Sequence, residues 1–427
     1  MRDLLKSISL KGQVDHYSLA LTESKKYELN LDGGKISLLR TTINNNLTIT
    51  VIKDQKKASI TVNKVNQESI DEAIQNVLEI CENSNPDEAN DIAPNQPSKD
   101  FIIGEIEPDL DKMYDLLNGY VEDVKSKFPS IKLMDTAITF DYSNKYIVNS
   151  NGVDFKQTKG VYSFNSLFAA KVDEKMSSFN YSGYSLEKLE NDLLSYGSLN
   201  QVLKETTEQT DTKGIEGKFT GDVIFTPDCM NNMIVNFYIG VYLQDGAIYT
   251  GTSKLKDSLN KQVASPLLTL HSKPRGGELA DGYCITNDGF EAQNMTIINK
   301  GILESFYLSQ YGANKTKLEM AKNSGGCYII EEGTSTLAEM IKSVERGVLV
   351  NRISGGHPNN NGDVSSVLKN SYYIENGEIK YPISETTISF NLDEAFRNIK
   401  EISKERINFG DGILPYVKVG QVNISGK

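Results

Sequence analysis

The sequence predicts an α+β fold: an N-terminal α/β region of hairpins and helices, followed by a large, mostly antiparallel β domain at the C-terminus. Three observations carry that expectation. Apolar residues alternate with small or polar ones from 14 to 63, with turn residues between the runs. Two stretches, near 70–81 and 108–128, keep their apolar residues on one helical face. From about 215 onward, short β-leaning runs are separated by frequent glycine turns.

In the first region, Tyr17, Leu19 and Leu21 alternate with other residues, and Tyr27, Leu29 and Leu31 do the same. Asp32-Gly33-Gly34 before Ile36 is a hairpin signal, because glycine supplies the positive φ that tight turns need. Leu47, Ile49 and Val51 alternate, and 54–57 turns into Ile60 and Val62. Ile70, Ala73, Ile74, Val77, Leu78 and Cys81 fall on one helical face behind Asn66, a good N-cap residue. Pro86, Pro94 and Pro97 stand among Ser, Asn and Asp, so 84–100 is expected to be exposed and unfolded.

Leu110, Met113, Tyr114, Leu117, Val121, Val124 and Phe128 make a second amphipathic helix, which Pro129 ends. Tyr146 and Val148 lead to Asn151-Gly152, a strong hairpin signal. Tyr162, Phe164, Phe168, Phe179 and Tyr181 continue the sheet, and leucines from Leu186 begin a helix expected to reach about 205. The expected organisation is an α+β domain at 1–83, a linker at 84–107, a second α+β segment at 108–214 and a β-rich domain at 215–427. In that last domain, strands are expected at 223–225, 295–298, 327–330, 348–350, 372–374 and 388–390, with helices near 228–243 and 336–346.

With 427 residues the chain has ample length for a large core without staples. Its formal net charge of −12 disfavours nonspecific nucleic-acid binding, which needs a basic footprint to displace counterions. The four cysteines, Cys81, Cys229, Cys284 and Cys327, have no CxxC spacing, so they read as buried thiols in a reducing compartment. Charges return too soon after Met1 for a signal peptide, and Met230 to Leu243 is interrupted by Asn231, Asn232 and Asn236. No membrane association is expected, and the expected location is the cytoplasm. The Lys- and Asn-rich, Arg-poor composition points to an AT-rich bacterial genome.

Chemistry is scarce. The three histidines, His16, His271 and His357, have no second ligand at i+3 or i+4, so no metal-binding helix of HExxH type is present. No nucleophile elbow and no phosphate loop occur. Cys284 or Cys327 could pair with His271 or His357 as an activated thiol, and small buried residues in strands are the plainer reading. The most distinctive segment is the loop 354–365. Gly355, Gly356, His357, Asp363 and Ser365 are its candidate substrate-groove or subunit-interface residues, with a long surface turn as the alternative.

That loop and its flanks carry a resemblance. Thr286-Asn287-Asp288-Gly289-Phe290-Glu291, Asn299-Lys300-Gly301-Ile302-Leu303 and Arg346-Gly347-Val348-Leu349-Val350 precede Asn361-Gly362-Asp363-Val364-Ser365. Ile374-Glu375-Asn376-Gly377-Glu378-Ile379-Lys380-Tyr381-Pro382-Ile383-Ser384-Glu385-Thr386-Thr387-Ile388 follows, running on to Asn391-Leu392. In this order and spacing the C-terminal half resembles the TldD/PmbA family, the "modulator of DNA gyrase" metalloproteases.

The resemblance implies two kinds of subunit. TldD-like chains carry an HExxxH helix and a later cysteine that hold zinc; PmbA/TldE-like chains lack them. Here the corresponding helix, around 228–238, has no His and no Glu, and 409–415 has no cysteine. The chain is therefore similar to the PmbA/TldE type: no catalytic residue and no metal or other cofactor is assigned to it, and zinc is expected in a TldD-like partner. The implied role is a subunit that completes the chamber of a protease for unfolded peptides. The alternatives are a non-catalytic peptide-binding or regulatory homodimer, and a self-sufficient hydrolase built on the cysteines and histidines above. Any effect on gyrase would be indirect.

Overall fold

The computed structural model describes residues 1–32 and 34–426. Gly33, part of the expected 32–34 turn, lies outside the described residues, but the flanking strands pair up to Asp32 and Lys35.

Among the described residues, eight strands make the first sheet. Its main path runs Lys56–Val62, Lys35–Lys53, His16–Asp32, Ile131–Asn149, Asp154–Val172 and Lys99–Ile103. The two alternating runs expected at 17–21 and 27–31 form one continuous strand, His16–Asp32. Its odd-numbered side chains serve two cores. Leu19 and Leu21 pack with Leu47, Ile49 and the helix Gln67–Glu82. Leu29 and Leu31 pack with Phe140, Phe164 and the helices Leu110–Lys127 and Leu199–Glu208. Alternation keeps all four leucines on one face, and a strand of 17 residues is long enough for the two cores to follow one another along it. The Asn66 side chain accepts from Ser69 N, capping the first of these helices as expected.

Two expectations need correction. Segment 84–107 is not an exposed tether: Ala89, Ile92 and Ala93 are buried, and Lys99–Ile103 joins the sheet. Its polar side chains and carbonyls find partners that no local pattern announces. Tyr311 Oη donates to Asp87 Oδ2 at 2.9 Å, Asn149 Nδ2 to the Ala93 carbonyl at 2.7 Å, and Gln310 Nε2 to the Ile92 carbonyl at 3.1 Å. Because His16–Asp32 pairs with Ile131–Asn149, the segments 1–83 and 108–214 share one sheet and do not form separate layers. The helix expected from Leu186 is also displaced. Asn180–Leu186 is a strand, and the helix is Leu199–Glu208, beyond Gly197 at φ +57°. Tyr184 Oη donates to the Leu193 carbonyl at 2.7 Å, holding the intervening leucines in a compact turn.

The C-terminal domain is a branched sheet of 14 strands among the described residues, mostly antiparallel. Gly412–Ser425 is its spine, pairing with Tyr328–Ile330, Lys218–Phe225, Thr387–Asn391 and Ile399–Asn408. A helix over 227–242 lies against it, burying Tyr238, Ile239 and Tyr242 in the main core. The Tyr238 and Phe396 rings stack at 3.9 Å.

Candidate functional site

The helix over 227–242 starts where Thr226 Oγ1 accepts from Cys229 N and Pro227 takes the first turn, where its missing N–H costs nothing. It widens to a π-helical stretch over Met230–Ile234, the part that carries Asn231 and Asn232. Such widened turns recur at functional sites. Asn231 Nδ2 donates to Asp411 Oδ1 at 3.2 Å. The two segments that the resemblance ties to zinc, the helix and the turn near 409–412, therefore do meet in space.

Their chemistry is not that of a zinc site. The side chains that converge are an amide, Asn231, and the carboxylate of Asp411, whose pKa is pushed up by loss of hydration and by Asp281 nearby. Asp281 already holds an ammonium, Lys159 Nζ, at 2.5 Å. Zinc wants imidazole, thiolate or unencumbered carboxylate donors. Among the described residues no group of three or more His, Cys, Asp or Glu side chains could hold a metal ion. The residues present do not fit the metal.

Cys327 adjoins this cluster, at φ +51° after Gly325 and Gly326 at +89° and +74°. Burial, with Asp281 beside it, pushes its thiol up to about 12, so it stays protonated near neutrality. The Cys284 thiol is raised too, by burial. Among the described residues neither thiol has a histidine as a hydrogen-bond partner. His271 Nδ1 bonds Thr296 Oγ1 and Nε2 bonds Glu331 Oε1, each at 3.1 Å, and the His357 ring lies edge-on to Phe237. His16 begins a strand. The activated-thiol pairing has no geometry here.

The distinctive loop borders an open cavity of about 610 Å³. Gly356, His357, Asp363 and Ser365 line it; Gly355 does not, and its carbonyl instead accepts from Ser366 Oγ at 2.9 Å. Asp363 accepts from Asn391 Nδ2 at 2.8 Å and Asn359 Nδ2 at 3.1 Å, and these bonds hold its pKa below the usual carboxylate range. Tyr242 Oη donates to the Asn361 carbonyl at 3.0 Å, so the loop is tied to the helix over 227–242. Amides and hydroxyls line the cavity with Asp363 and Glu394 as its carboxylates, and Val364, Phe390, Ala395 and Val422 add apolar wall.

Sequence reasoning passed over a buried polar cluster on the other side of that helix. Asp228 Oδ1 accepts from Ser198 Oγ at 2.6 Å, and Asn351 Nδ2 donates to Glu205 Oε2 at 2.6 Å. Burial lifts Asp228 to about 6 and Glu205 to about 7. Arg352 lies beside Asp228 in a cavity of about 10 Å³, room for a single water at most. Its guanidinium stacks on Phe179 at 4.3 Å and donates to the Phe179 carbonyl at 2.9 Å. The only local signal was Asp228 in the first turn after Pro227, which reads as a helix-start acid.

Comparisons with known proteins place these features. A family model described as the PmbA/TldA metallopeptidase C-terminal domain matches residues 217–426, and one described as PmbA/TldA metallopeptidase domain 1 matches 17–81. Metalloprotease PmbA of Escherichia coli O157:H7 is 24% identical over 435 residues, covering 96% of this chain and 93% of that protein. A zinc metalloprotease TldD homolog of Saccharolobus solfataricus is 24% identical over 159 residues, covering 34% and 36%. The crystal structure of TldE from Thermococcus kodakarensis superposes with a TM-score of 0.82 at 19% identity, covering 97% of each chain. Among the described residues no helix is long and apolar enough to cross a membrane. With two domain models of one family matched in order along it, this chain belongs to the PmbA/TldD family of metallopeptidase-like proteins.

Proposed function

We propose that this chain is the zinc-free, PmbA/TldE-like half of a two-subunit metallopeptidase that acts on unfolded peptides. The observation that carries the reading is the meeting of Asn231 and Asp411. The family's zinc-bearing subunits, as the resemblance describes them, hold metal with a helix and a later cysteine. This chain keeps both segments together but puts an amide and a carboxylate there. Its contribution is then to bind and orient peptide and to close the chamber against water and folded proteins, while a TldD-like partner's zinc supplies the Lewis acid.

The loop 355–365, tied to the same helix by Tyr242 and Phe237, is the segment of this chain best placed to border the substrate or the partner. Its polar lining suits main-chain recognition, which tolerates many peptide sequences. The cytoplasm is the expected compartment, in keeping with four free cysteines.

The test is cleavage of an unfolded peptide mixture, read by mass spectrometry. The chain is assayed alone and with an HExxxH-bearing partner from the same organism. Cleavage in the mixture only, abolished by a chelator, is the expected result. Cleavage by the chain alone in the presence of chelator would overturn the reading.

A further inference from the structure

The first sheet ends in an open edge, and the loop that faces this edge reaches the turn before Asp411, where Asp281 N donates to the Gly410 carbonyl at 2.8 Å. The strand Lys99–Ile103 pairs in parallel with residues 155–159 on one side, and among the described residues no strand covers the other. A groove of about 410 Å³ runs along it. Asp100, Phe101, Ile102, Ile103 and Gly104 all line this groove. Successive side chains of a strand point to opposite faces. A cavity that touches five consecutive residues therefore lies along the strand's edge, where unpaired N–H and C=O groups are presented.

The opposite wall is the loop 274–284. Gly276 and Gly277 stand there at φ +112° and +76°, and a Cβ added at Gly277 would meet nothing within 4 Å. The glycine pair leaves main chain open on that wall, and beside it the Arg275 guanidinium lies 5.2 Å from the centroid of the Phe101 ring. The strand itself is firmly seated: Phe101 and Ile103 pack inward against Phe155 and Cys284. Ile102 points out and is 74% exposed. Natural edge strands are guarded by charge, proline or a covering element; at Ile102 this one is not.

The groove also carries one uncommitted charge. Lys99 and Arg275 are both taken by Glu291, and Asp100 by Arg2. Glu187 lines the groove just beyond the strand Asn180–Leu186 and has neither a cation nor a hydrogen-bond partner among the described residues. That strand lies on the same side of Asp154–Val172 as Lys99–Ile103 does, so Glu187 marks the groove's end.

We infer that an extended peptide segment bearing a basic residue adds as a strand to the free edge of Lys99–Ile103, its Lys or Arg reaching Glu187. The edge offers about 16 Å at ~3.3 Å per residue, enough to pair a short unfolded segment. The inference deepens the peptide-handling reading above and rests on it for the class of ligand.

The test uses the full chain and a fluorescein-labelled peptide, Thr-Val-Thr-Lys-Thr-Val-Thr, with binding read by anisotropy and sites by hydrogen exchange. On peptide addition the amides of 99–104 are expected to exchange more slowly. N-methylation at one alternate set of peptide positions should weaken binding about tenfold, the other set having little effect. Glu187→Lys should weaken binding of this peptide about tenfold and favour a version with Glu in place of Lys. Ile102→Lys, at an exposed position, is the second variant and should also weaken binding. No binding, protection confined to other segments such as 355–365, or equal tolerance of N-methylation everywhere would overturn the inference. Failure here with cleavage intact in the two-chain mixture would leave the subunit reading standing; binding at 99–104 without cleavage would overturn that reading and not this one.

Discussion

The side-chain amide of Asn231 donates to the carboxylate of Asp411 at 3.2 Å, joining the helix over 227–242 to the turn that precedes Gly412–Ser425. This contact occupies the place where the resemblance puts metal ligands in the zinc-bearing relatives. A ligand that binds only the folded state raises stability by about 2.7 kcal/mol at a hundredfold excess over its Kd. Because the donors here do not suit zinc, the thermal unfolding midpoint of the purified chain should not move on adding zinc or a chelator. A zinc-dependent rise of several degrees would show a site that these residues do not account for.

Asp228 should make stability fall as pH rises. Burial lifts its folded-state pKa to about 6, above the ordinary 3.8. Between those values the folded chain holds a proton that the unfolded chain has lost, so stability declines from about pH 4 to about pH 6 and then levels. Asp228→Asn keeps an oxygen to accept from Ser198 Oγ and removes the charge. The variant should be more stable than the parent by about 1–3 kcal/mol at pH 7.5, with the gap closing below pH 4. Urea unfolding at a series of pH values checks this.

Glu205 is displaced in the same direction, to about 7, so its own window extends from about 4.5 upward. Glu205→Gln should gain less than Asp228→Asn. Gln201 Nε2 and Asn351 Nδ2 both donate to Glu205, and a glutamine can accept with one oxygen only. The same urea series, run on this variant, should show a smaller gain or a loss at pH 7.5.

Tyr238 is fully buried, stacked on Phe396, and its hydroxyl has no hydrogen-bond partner among the described residues. An unpaired buried hydroxyl costs about 1–3 kcal/mol of desolvation. Tyr238→Phe should therefore be neutral or stabilising by up to about 1 kcal/mol, while Phe396→Ala should cost about 3–5 kcal/mol by opening a cavity. Calorimetric midpoints of the two variants should move in these different ways.

The neighbouring glycines of the loop should respond differently. Gly355 and Gly356 both have positive φ, +72° and +69°. A Cβ at Gly355 meets nothing within 4 Å, whereas one at Gly356 would lie 2.0 Å from the Ser365 carbonyl oxygen. Gly355→Asn should cost under about 1 kcal/mol, because asparagine tolerates this backbone. Gly356→Ala should cost about 1–3 kcal/mol or more, because backbone must move. Denaturant midpoints separate the two.

Some of this was legible locally. The helix Gln67–Glu82 follows from its one-sided apolar spacing and its Asn66 cap, and the helix Leu110–Lys127 ends before Pro129 as expected. The loop with Gly356, His357, Asp363 and Ser365 stands out by composition and does border a cavity of about 610 Å³. The segment 84–107 was misread because its order comes from distant partners: Tyr311, Gln310 and Asn149 satisfy it from elsewhere in the chain. Low apolar content argued for an exposed tether, and side-chain bonds to its backbone outweighed that argument.

By itself the sequence determined the kinds of element, the acidic character of the chain, the family, and the lack of His and Glu on the helix that carries Asn231. These are properties of short windows, set by periodicity, capping and composition. Tertiary structure alone decided that Asn231 meets Asp411, that Asp228 shares a small cavity with Arg352 while Glu205 accepts from Asn351, and that Lys99–Ile103 ends as an open edge beside Glu187. Each joins residues that the chain carries far apart or on different elements. Burial, pairing and edge exposure depend on which surfaces pack together, and no local pattern of residues encodes that choice.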